Sequence, residues 1–329
     1  MNPPLPPPLS TAPRLPRLSF GGGTLGREID EAASREVLDY ALKHGLSLLD
    51  TAEAYGGGNS RQYRRDVFKV DDIREVSGEM HSSENIIGRW LRDRKNRDQV
   101  QICTKLSTSG GGARVHQAVR ESLARLQTDY VDIYMLHRPY PDVPIRETLE
   151  ALTEEVQAGR VRQIGCSNFS IAQLREAILT AEAHGLARMR TISPPFNLAN
   201  PSAREQIFPY CREQGISTLI YSPLAAGFLA GKYVQGGPIP KGARFDIVPG
   251  HIDVYFSDKN FRVMENLRQL SAELGEPMVK LAMAWVFQSP GVDSVLVGAR
   301  GPGHIDNALA AFHFTLPPEL KARMDGWLA

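Results

Sequence analysis

The chain is poor in cysteine, and the three that it has lie far apart, at Cys103, Cys166 and Cys211. Three scattered thiols are too few for a disulfide framework or for a cysteine-based metal site. Cys103 and Cys166 lie within short apolar runs, so we predict that they are reduced residues of the core.

Long apolar runs and an excess of charge are also missing. No stretch approaches the roughly 18 apolar residues that a membrane-spanning helix needs, and the N-terminus has no apolar signal core. Lys and Arg number 38 against 37 Asp and Glu, which gives a formal net charge of +1. A nucleic-acid-binding surface would be strongly basic. We therefore expect a cytoplasmic protein with neither a membrane nor a nucleic acid as its partner.

Proline, by contrast, is concentrated at the N-terminus. Seven of the first 16 residues are proline, which excludes a helix and predicts a disordered, partly polyproline tail over 1–16. The length of 329 residues allows two domains or one α/β barrel of about 250 residues or more. Because no Pro-, Gly- or Ser-rich linker divides 17–329, we expect a single domain there.

Short apolar runs alternate with longer amphipathic segments along this domain. The first amphipathic segment has helical spacing, with Asp30 as the expected N-cap and Gly45 as the stop, and a helix interrupted by Pro209 is predicted over 202–215. Eight strand–helix units predict parallel strands in an α/β fold, the (β/α)8 TIM barrel. The predicted strands lie at 17–22, 47–51, 100–105, 131–137, 161–167, 190–193, 216–222 and 292–298.

A glycine motif after the first strand favours a different fold. Gly21, Gly23 and Gly26 spell G-x-G-x-x-G, and Asp50 ends the second strand. Together they resemble the dinucleotide-binding fingerprint of a doubly wound sheet. That fingerprint needs its third glycine in the first helical turn, whereas the helical pattern begins only near Asp30. The barrel is therefore favoured, and we expect the glycines to form a flexible loop.

Polar side chains follow the ends of three predicted strands. Asp50 ends the second strand with Tyr55 close behind it, Lys105 ends the third and His137 the fourth. In a barrel these ends meet at one mouth. Taken singly, each residue has an ordinary structural role as a cap, a half-buried aromatic, a solvated cation or a structural histidine. Together they predict an acid–base cluster in which the neighbouring cations lower the pKa of Tyr55.

Around these residues the chain resembles the aldo-keto reductase family. The segments that carry the resemblance are LLDTAEAYG (48–56), ICTKL (102–106), VDIYMLHRP (131–139), GRVRQIGCSNF (159–169), YSPLAAGFLAGKY (221–233) and VLVGAR (295–300). The resemblance implies hydride transfer from NAD(P)H to the carbonyl of an aldehyde, ketone or sugar. It makes Tyr55 the general acid, with Lys105 held by Asp50 beside it and His137 orienting the carbonyl oxygen.

The same resemblance implies a set of cofactor-binding residues. Arg300 would grip a 2′-phosphate through its guanidinium, which favours NADPH. The set comprises the nicotinamide residues Ser167, Asn168, Ser193 and Tyr221, the pyrophosphate residues Ser222, Leu224, Gly227 and Lys232, and the adenosine residues Gly298, Ala299, Arg300 and His304.

Several positions depart from the family pattern. Ser193 stands where Gln is frequent, and His304 stands where Gln or Arg is usual. Gly22 and Gly23 stand where a Thr and an aromatic residue are common, an exchange that we expect to open the pocket. The largest departure is an inserted segment at about 60–82, which follows the strand that carries Asp50.

We expect this inserted segment at the barrel mouth, as a lid whose arginines, notably Arg61, Arg64 and Arg65, meet a polar or anionic substrate, or as a contact in a homo-oligomer. The alternative is a solvated loop, because its basic and acidic residues balance. The function most in keeping with the sequence is NADPH-dependent reduction of a small-molecule carbonyl substrate. The alternatives are oxidation of a sugar or alcohol with NAD(P)+, and a cofactor-binding regulatory subunit with slow turnover.

Overall fold

A computed structural model of the chain describes residues 15–327. Most of the predicted proline-rich tail lies outside the described residues. Leu15, however, is buried inside the barrel beside Leu48 and Leu219. The packed unit therefore begins before residue 17.

Eight parallel strands close into a barrel in chain order, with β8 paired to β1. This topology confirms the (β/α)8 prediction and excludes the doubly wound sheet. The strands are β1 Leu18–Gly21, β2 Leu48–Asp50, β3 Gln101–Leu106, β4 Val131–Leu136, β5 Val161–Ser167, β6 Met189–Ser193, β7 Ser217–Ile220 and β8 Ser294–Gly298.

Helices follow the strands and cover the outside of the barrel. They are α1 Glu31–Lys43, α2 Gly57–Tyr63, α3 Ser82–Arg94, α4 Gly112–Leu126, α5 Ile145–Gln157, α6 Ile171–His184, α7 Ile207–Gln214, α8 Arg244–Ile247, α9 Ile252–Tyr255, α10 Asp258–Leu274, α11 Met278–Phe287, α12 Pro302–His313 and α13 Pro318–Gly326.

Local sequence sets where these helices begin and end. The Asp30 side chain accepts the backbone N–H of Ala33 at 2.9 Å, so it caps α1 as predicted. Pro209 does not interrupt α7 but lies in its first turn, where the helix needs no donor from a backbone nitrogen. The preceding 202–204 forms a separate short 3₁₀ turn.

The core has two layers. Inside the barrel, Leu15 packs with Leu48, Cys103, Ile133, Met135, Leu219 and Leu296. The larger layer lies between the strands and the helices, where Trp90 and Trp285 are fully buried. All three cysteines are buried and unpaired, as predicted for Cys103 and Cys166.

Two features of the barrel position the site. The register pairs Gly21 with Asp50 and Asp50 with Cys103, which brings the ends of β1, β2 and β3 to the same level. The long connections after β2 and β7 both leave from this mouth. Within 15–327, no helix is both long enough and apolar enough to cross a membrane.

Candidate active site

Lys105 and Asp50 form a buried ion pair at the mouth of the barrel. The Lys105 Nζ atom donates to Asp50 Oδ1 at 2.6 Å and to the carbonyl oxygen of Thr51 at 2.8 Å. Only 2% of the lysine side chain is exposed. Burial acts to lower the pKa of Lys105, but the negative charge of Asp50 and its hydrogen bond to the ammonium outweigh that effect and raise the pKa above its ordinary value. Lys105 is therefore a fixed cation.

Tyr55 lies between this lysine and His137. It follows β2 in a turn closed by its own N–H and the carbonyl of Ala52, at 2.9 Å. Lys105 Nζ lies 4.9 Å from the centroid of the Tyr55 ring. The ring of His137 meets that of Tyr55 edge-on, with 5.4 Å between the centroids. The structure therefore brings together all four residues that the sequence predicted to form a cluster.

The pKa of Tyr55 differs from the sequence prediction. Burial raises it above the usual value for a phenol, and the charge of Lys105 offsets only part of that effect. The prediction that neighbouring cations lower this pKa was wrong for the described structure, because it ignored the cost of burying a phenolate. Tyr55 is therefore a protonated phenol at neutral pH.

His137 is neutral for the same physical reason. Burial lowers its pKa to about 3, with smaller contributions from the charges of Lys105 and Arg138. Its Nδ1 atom is 2.6 Å from the Ser107 hydroxyl. Ser107 is in turn held by Glu53, whose Oε1 accepts the Ser107 backbone N–H at 2.6 Å.

Sequence analysis did not single out Ser107 or Glu53. Glu53 is buried, and its second oxygen accepts a hydrogen bond from Arg114 at 2.9 Å. The positions of both residues offered a clue, because Ser107 lies just beyond Lys105 and Glu53 is within the segment that carries Tyr55. Their pairing spans β2 and β3, so it becomes visible only in the folded barrel.

The predicted nicotinamide residues form one hydrogen-bonded network across β5, β6 and β7. Tyr221 donates its hydroxyl to Asn168 Oδ1 at 2.6 Å, and Asn168 Nδ2 donates to the carbonyl of His137 at 2.9 Å. The Ser167 hydroxyl donates to the carbonyl of Ser193 at 2.8 Å. The Ser193 hydroxyl donates to the carbonyl of Leu219 at 2.7 Å. The network connects this face of the mouth to His137.

The predicted pyrophosphate residues lie in a tightly coiled stretch after β7. Ser222, Ala225 and Ala226 have positive φ angles of 52°, 51° and 55°, and Gly227 has 88°. Left-handed conformations at three residues other than glycine are strained, and such strain clusters at ligand sites. A Cβ placed on Gly227 would stand 3.9 Å from Lys232 Nζ. Leu224 caps the 3₁₀ turn Ala225–Ala230.

The predicted adenosine residues follow β8. Gly298 pairs with Gly21 of β1, and the buried Ala299 accepts the Thr24 hydroxyl at 2.8 Å. Arg300 is 43% exposed, with its Nε 4.0 Å from Glu28 Oε2. Burial lowers the pKa of His304, and the charge of Arg300 adds to that effect.

Glu28 also joins the loop after β1 to the long connection after β7. Its Oε1 accepts hydrogen bonds from Arg27 and from Arg244. Burial lowers the pKa of Lys232, and the positive charge of Arg300 lowers it further. Several cations therefore surround one carboxylate at this corner of the mouth.

The inserted segment, residues 60–82, is a folded structure that contacts the connection after β7. Arg64 forms a buried ion pair with Glu75 and donates to the carbonyl of Ile247 at 3.1 Å. Arg74 donates to the carbonyl of Asp246. A Cβ on Gly250 would stand 3.6 Å from Phe68 and from Tyr63. The segment therefore lies at the mouth, as the sequence predicted.

The arginines of this segment are paired with its own carboxylates. Arg61 Nε lies 2.7 Å from Asp71, and Arg65 Nε lies 3.5 Å from Asp66. Arg64 binds Glu75 and Asp72. A substrate contact by these three side chains, expected from the sequence, has no support in this geometry.

Comparisons with known proteins agree with the fold. The chain is 34% identical over 312 residues to the aldo-keto reductase YhdN of Bacillus subtilis (strain 168), covering 91% of this chain and 84% of that protein. It is 29% identical over 307 residues to a probable voltage-gated potassium channel subunit beta of Arabidopsis thaliana, covering 89% and 86%. The structure of the glycerol dehydrogenase AKR11B4 from Gluconobacter oxydans has a TM-score of 0.74 to this one at 26% identity, covering 95% and 91%.

The closed eight-stranded barrel is a fold that the chain shares with this (β/α)8 oxidoreductase. The model of the aldo/keto reductase family matches residues 17–329. The chain belongs to that family, in which dependence on NAD(P)H is the norm.

Proposed function

We propose that this protein reduces the carbonyl group of a small aldehyde, ketone or sugar, with NADPH as the hydride donor and Tyr55 as the general acid. The observation that carries the proposal is the position of a buried, protonated phenol beside the fixed cation Lys105 and the neutral imidazole of His137. A general acid must hold its proton until the transition state, and the raised pKa of Tyr55 has that consequence.

His137 orients the carbonyl oxygen in this proposal. The Ser107 hydroxyl lies 2.6 Å from Nδ1. We assign it as the donor, and this assignment puts the proton of the neutral imidazole on Nε2. That N–H then donates to the same carbonyl oxygen that Tyr55 protonates. A neutral donor suits this role, because an imidazolium would compete with Tyr55 as the acid.

Lys105 and Asp50 support the charge that develops on Tyr55. When Tyr55 gives up its proton, the phenolate forms next to a lysine that Asp50 and the Thr51 carbonyl hold in place. A preorganised cation stabilises the phenolate without having to move during the reaction. The positive charge therefore favours the transition state over the neutral starting phenol.

The cations around Glu28 fit a phosphate-bearing cofactor. Lys232, Arg244 and Arg300 share this one carboxylate, which leaves an excess of positive charge at the corner between β1 and β8. Arg300 would hold the 2′-phosphate, Lys232 the pyrophosphate, and Asn168 with Ser167 the carboxamide. When bound, NADPH supplies the hydride that reduces the carbonyl carbon.

A panel of substrates tests the proposal directly. The purified protein is mixed with NADPH or NADH and a series of aldehydes, ketones and sugars, and the loss of reduced cofactor is followed by absorbance. We expect at least one carbonyl compound to be reduced, and faster with NADPH than with NADH. The reverse reaction is measured with NADP+ and a series of alcohols and polyols.

Two outcomes would replace the proposal with another function. Oxidation of polyols without reduction of any carbonyl would favour a dehydrogenase, which is what the Gluconobacter neighbour is named. Tight binding of NADPH with no turnover in either direction would favour a regulatory subunit, in line with the names of the channel-subunit relatives.

A further inference from the structure

Arg27 is a buried arginine near Tyr55 that the proposed mechanism does not use. It lies in the connection between β1 and α1 and is 5% exposed. Its Nη2 atom donates to Glu28 Oε1 at 3.0 Å. Its Nε atom is buried and has no hydrogen-bond partner among the residues that the structure describes. An unpaired N–H on a buried cation is costly, so it marks a place where a ligand atom would be stabilising.

The free space beside Arg27 faces Tyr55. A Cβ placed on Gly23 would stand 3.6 Å from Arg27 Nη2 and 4.0 Å from Tyr55 Cε2. Both are ordinary van der Waals distances, so the missing side chain leaves room for ligand atoms. The guanidinium lines one side of this gap and the ring of the proposed acid lines the other.

The charges around the gap leave Arg27 available to an anion. Glu28 also binds Arg244 and is 4.0 Å from Arg300, so a single carboxylate faces three guanidinium groups. Glu75, the other acid whose charge acts on Arg27, is engaged by Arg64. Neither carboxylate therefore belongs to Arg27 alone.

A second buried polar group lies in the connection after β7. His251 has its Nδ1 atom buried without a partner among the described residues. Burial lowers the pKa of His251, and the charge of Arg27 lowers it further, so the imidazole is neutral at pH 7. Val76 of the inserted segment donates its N–H to the carbonyl of Arg27 at 3.1 Å, which covers this corner of the mouth.

We propose that Arg27 binds an anionic group of the substrate, a carboxylate or a phosphate, in the gap beside Gly23. The preferred substrates are then small carbonyl compounds that carry a negative charge. A guanidinium is well suited to both anions because its N–H groups match their oxygen atoms. This assignment rests on the proposed function, because it places the anion in the same pocket as the carbonyl that is reduced.

The test compares charged and neutral substrates of nearly the same shape. One pair is 4-carboxybenzaldehyde and 4-formylbenzamide, and the other is glyceraldehyde 3-phosphate and glyceraldehyde. The variant Arg27→Gln should raise the KM for the charged member by about 10- to 100-fold, the range expected for a lost charge-assisted hydrogen bond. The KM for the neutral member and the Kd for NADPH should change by less than about twofold on the same grounds. The pair with the larger effect identifies the anion.

Arg61→Gln is the matched control. It removes the same charge from an exposed ion pair with Asp71 in the inserted segment. For both substrate pairs, the KM values of Arg61→Gln should equal those of the original protein. Arg27→Lys keeps the charge but not the guanidinium geometry, so it should give an intermediate KM and serves as the second variant where Arg27→Gln does not fold.

A binding measurement separates this assignment from the proposed function. Terephthalate and its diamide are titrated by calorimetry into the protein with NADP+ present, and only terephthalate should bind more weakly to Arg27→Gln. If no carbonyl compound is turned over, the proposed function fails, while the titration still tests Arg27. Equal losses for charged and neutral compounds would overturn the assignment. Weaker NADPH binding with unchanged selectivity would overturn it too, and would assign Arg27 to the cofactor.

Discussion

Lys105–Asp50 and Arg64–Glu75 are two of the buried ion pairs at the mouth of this barrel, and their surroundings differ. Lys105–Asp50 joins β3 to β2, and Arg64–Glu75 lies within the inserted segment. The cationic side chain is 2% exposed in each. Lys105 faces the ring of Tyr55. Arg64 instead donates its other N–H groups to Asp72 and to the carbonyl of Ile247.

The difference shows that burial of an ion pair does not by itself indicate catalysis. A buried pair is a weak source of stability, because desolvating both charges consumes most of their attraction. The chemistry is indicated by what the cation faces. Lys105 is held by strands that cannot move apart, and it faces an ionisable phenol. Arg64 faces backbone and carboxylates, so we interpret its pair as a clamp between the inserted segment and the connection after β7.

The largest effect is expected at Tyr55, because Lys105 faces this phenol and Arg64 faces no comparable group. We predict that Tyr55→Phe keeps the fold and the affinity for NADPH but lowers kcat on the best substrate by roughly 10²- to 10⁴-fold, the usual loss when a general acid is removed. Steady-state kinetics and a cofactor titration measure the two quantities. A kcat close to that of the original protein would show that another group protonates the carbonyl oxygen.

Removing the carboxylate from each pair gives the next largest effect. Asp50→Asn should lower kcat strongly and reduce stability by an amount approaching the roughly 3–5 kcal/mol seen when a buried pair is broken. Glu75→Gln should cost less, because the inserted segment can open and admit water to Arg64.

Calorimetric Tm values, kcat and amide exchange over 64–76 distinguish the two pairs. Glu75→Gln should speed exchange in that segment while leaving kcat nearly unchanged. A large fall in kcat for Glu75→Gln, or none for Asp50→Asn, would remove the distinction drawn between them.

The sequence predicted one side of this comparison better than the other. Asp50, Lys105 and His137 each end a predicted strand, and the barrel class requires parallel strand ends to meet at one mouth. The Lys105 contact with Asp50 therefore followed from the fold class. The partners of Arg64 did not, since Ile247 is remote in sequence and no repeating pattern connects the two.

Side-chain direction was the other quantity that the sequence did not contain. The sequence analysis did not single out Arg27, and the structure was needed to show that its guanidinium turns inward beside Gly23. The pKa of Tyr55 was misjudged for a related reason. Neighbouring charges can be inferred from strand ends, but the degree of burial that raises this pKa depends on packing from every side.

Arg300 differs from both paired cations, because it is half-exposed and its contact with Glu28, at 4.0 Å, is long. We predict that Arg300→Ala weakens the binding of NADPH by about tenfold or more, since a charge-assisted hydrogen bond contributes roughly 1.5–3 kcal/mol. NADH, which has no 2′-phosphate, should be affected much less. Fluorescence titrations with both cofactors measure the ratio, and equal weakening of the two would show that Arg300 does not bind the phosphate.

The smallest expected effect concerns Arg74, which forms a second contact between the inserted segment and the connection after β7. Arg74 donates to the carbonyl of Asp246 and lies 3.5 Å from its carboxylate, which fastens the inserted segment to the connection that also carries Lys232. Partly exposed ion pairs contribute about 0.2–1 kcal/mol. We therefore predict that Arg74→Gln speeds release of NADP+ by up to about fivefold. The rate constant of hydride transfer should stay unchanged. The matched control is Arg65→Gln, which removes the same charge from an exposed pair with Asp66 inside the segment. Stopped-flow fluorescence measures the rate of NADP+ release. Equal rates in the two variants would show that the Arg74–Asp246 contact does not restrain the connection after β7.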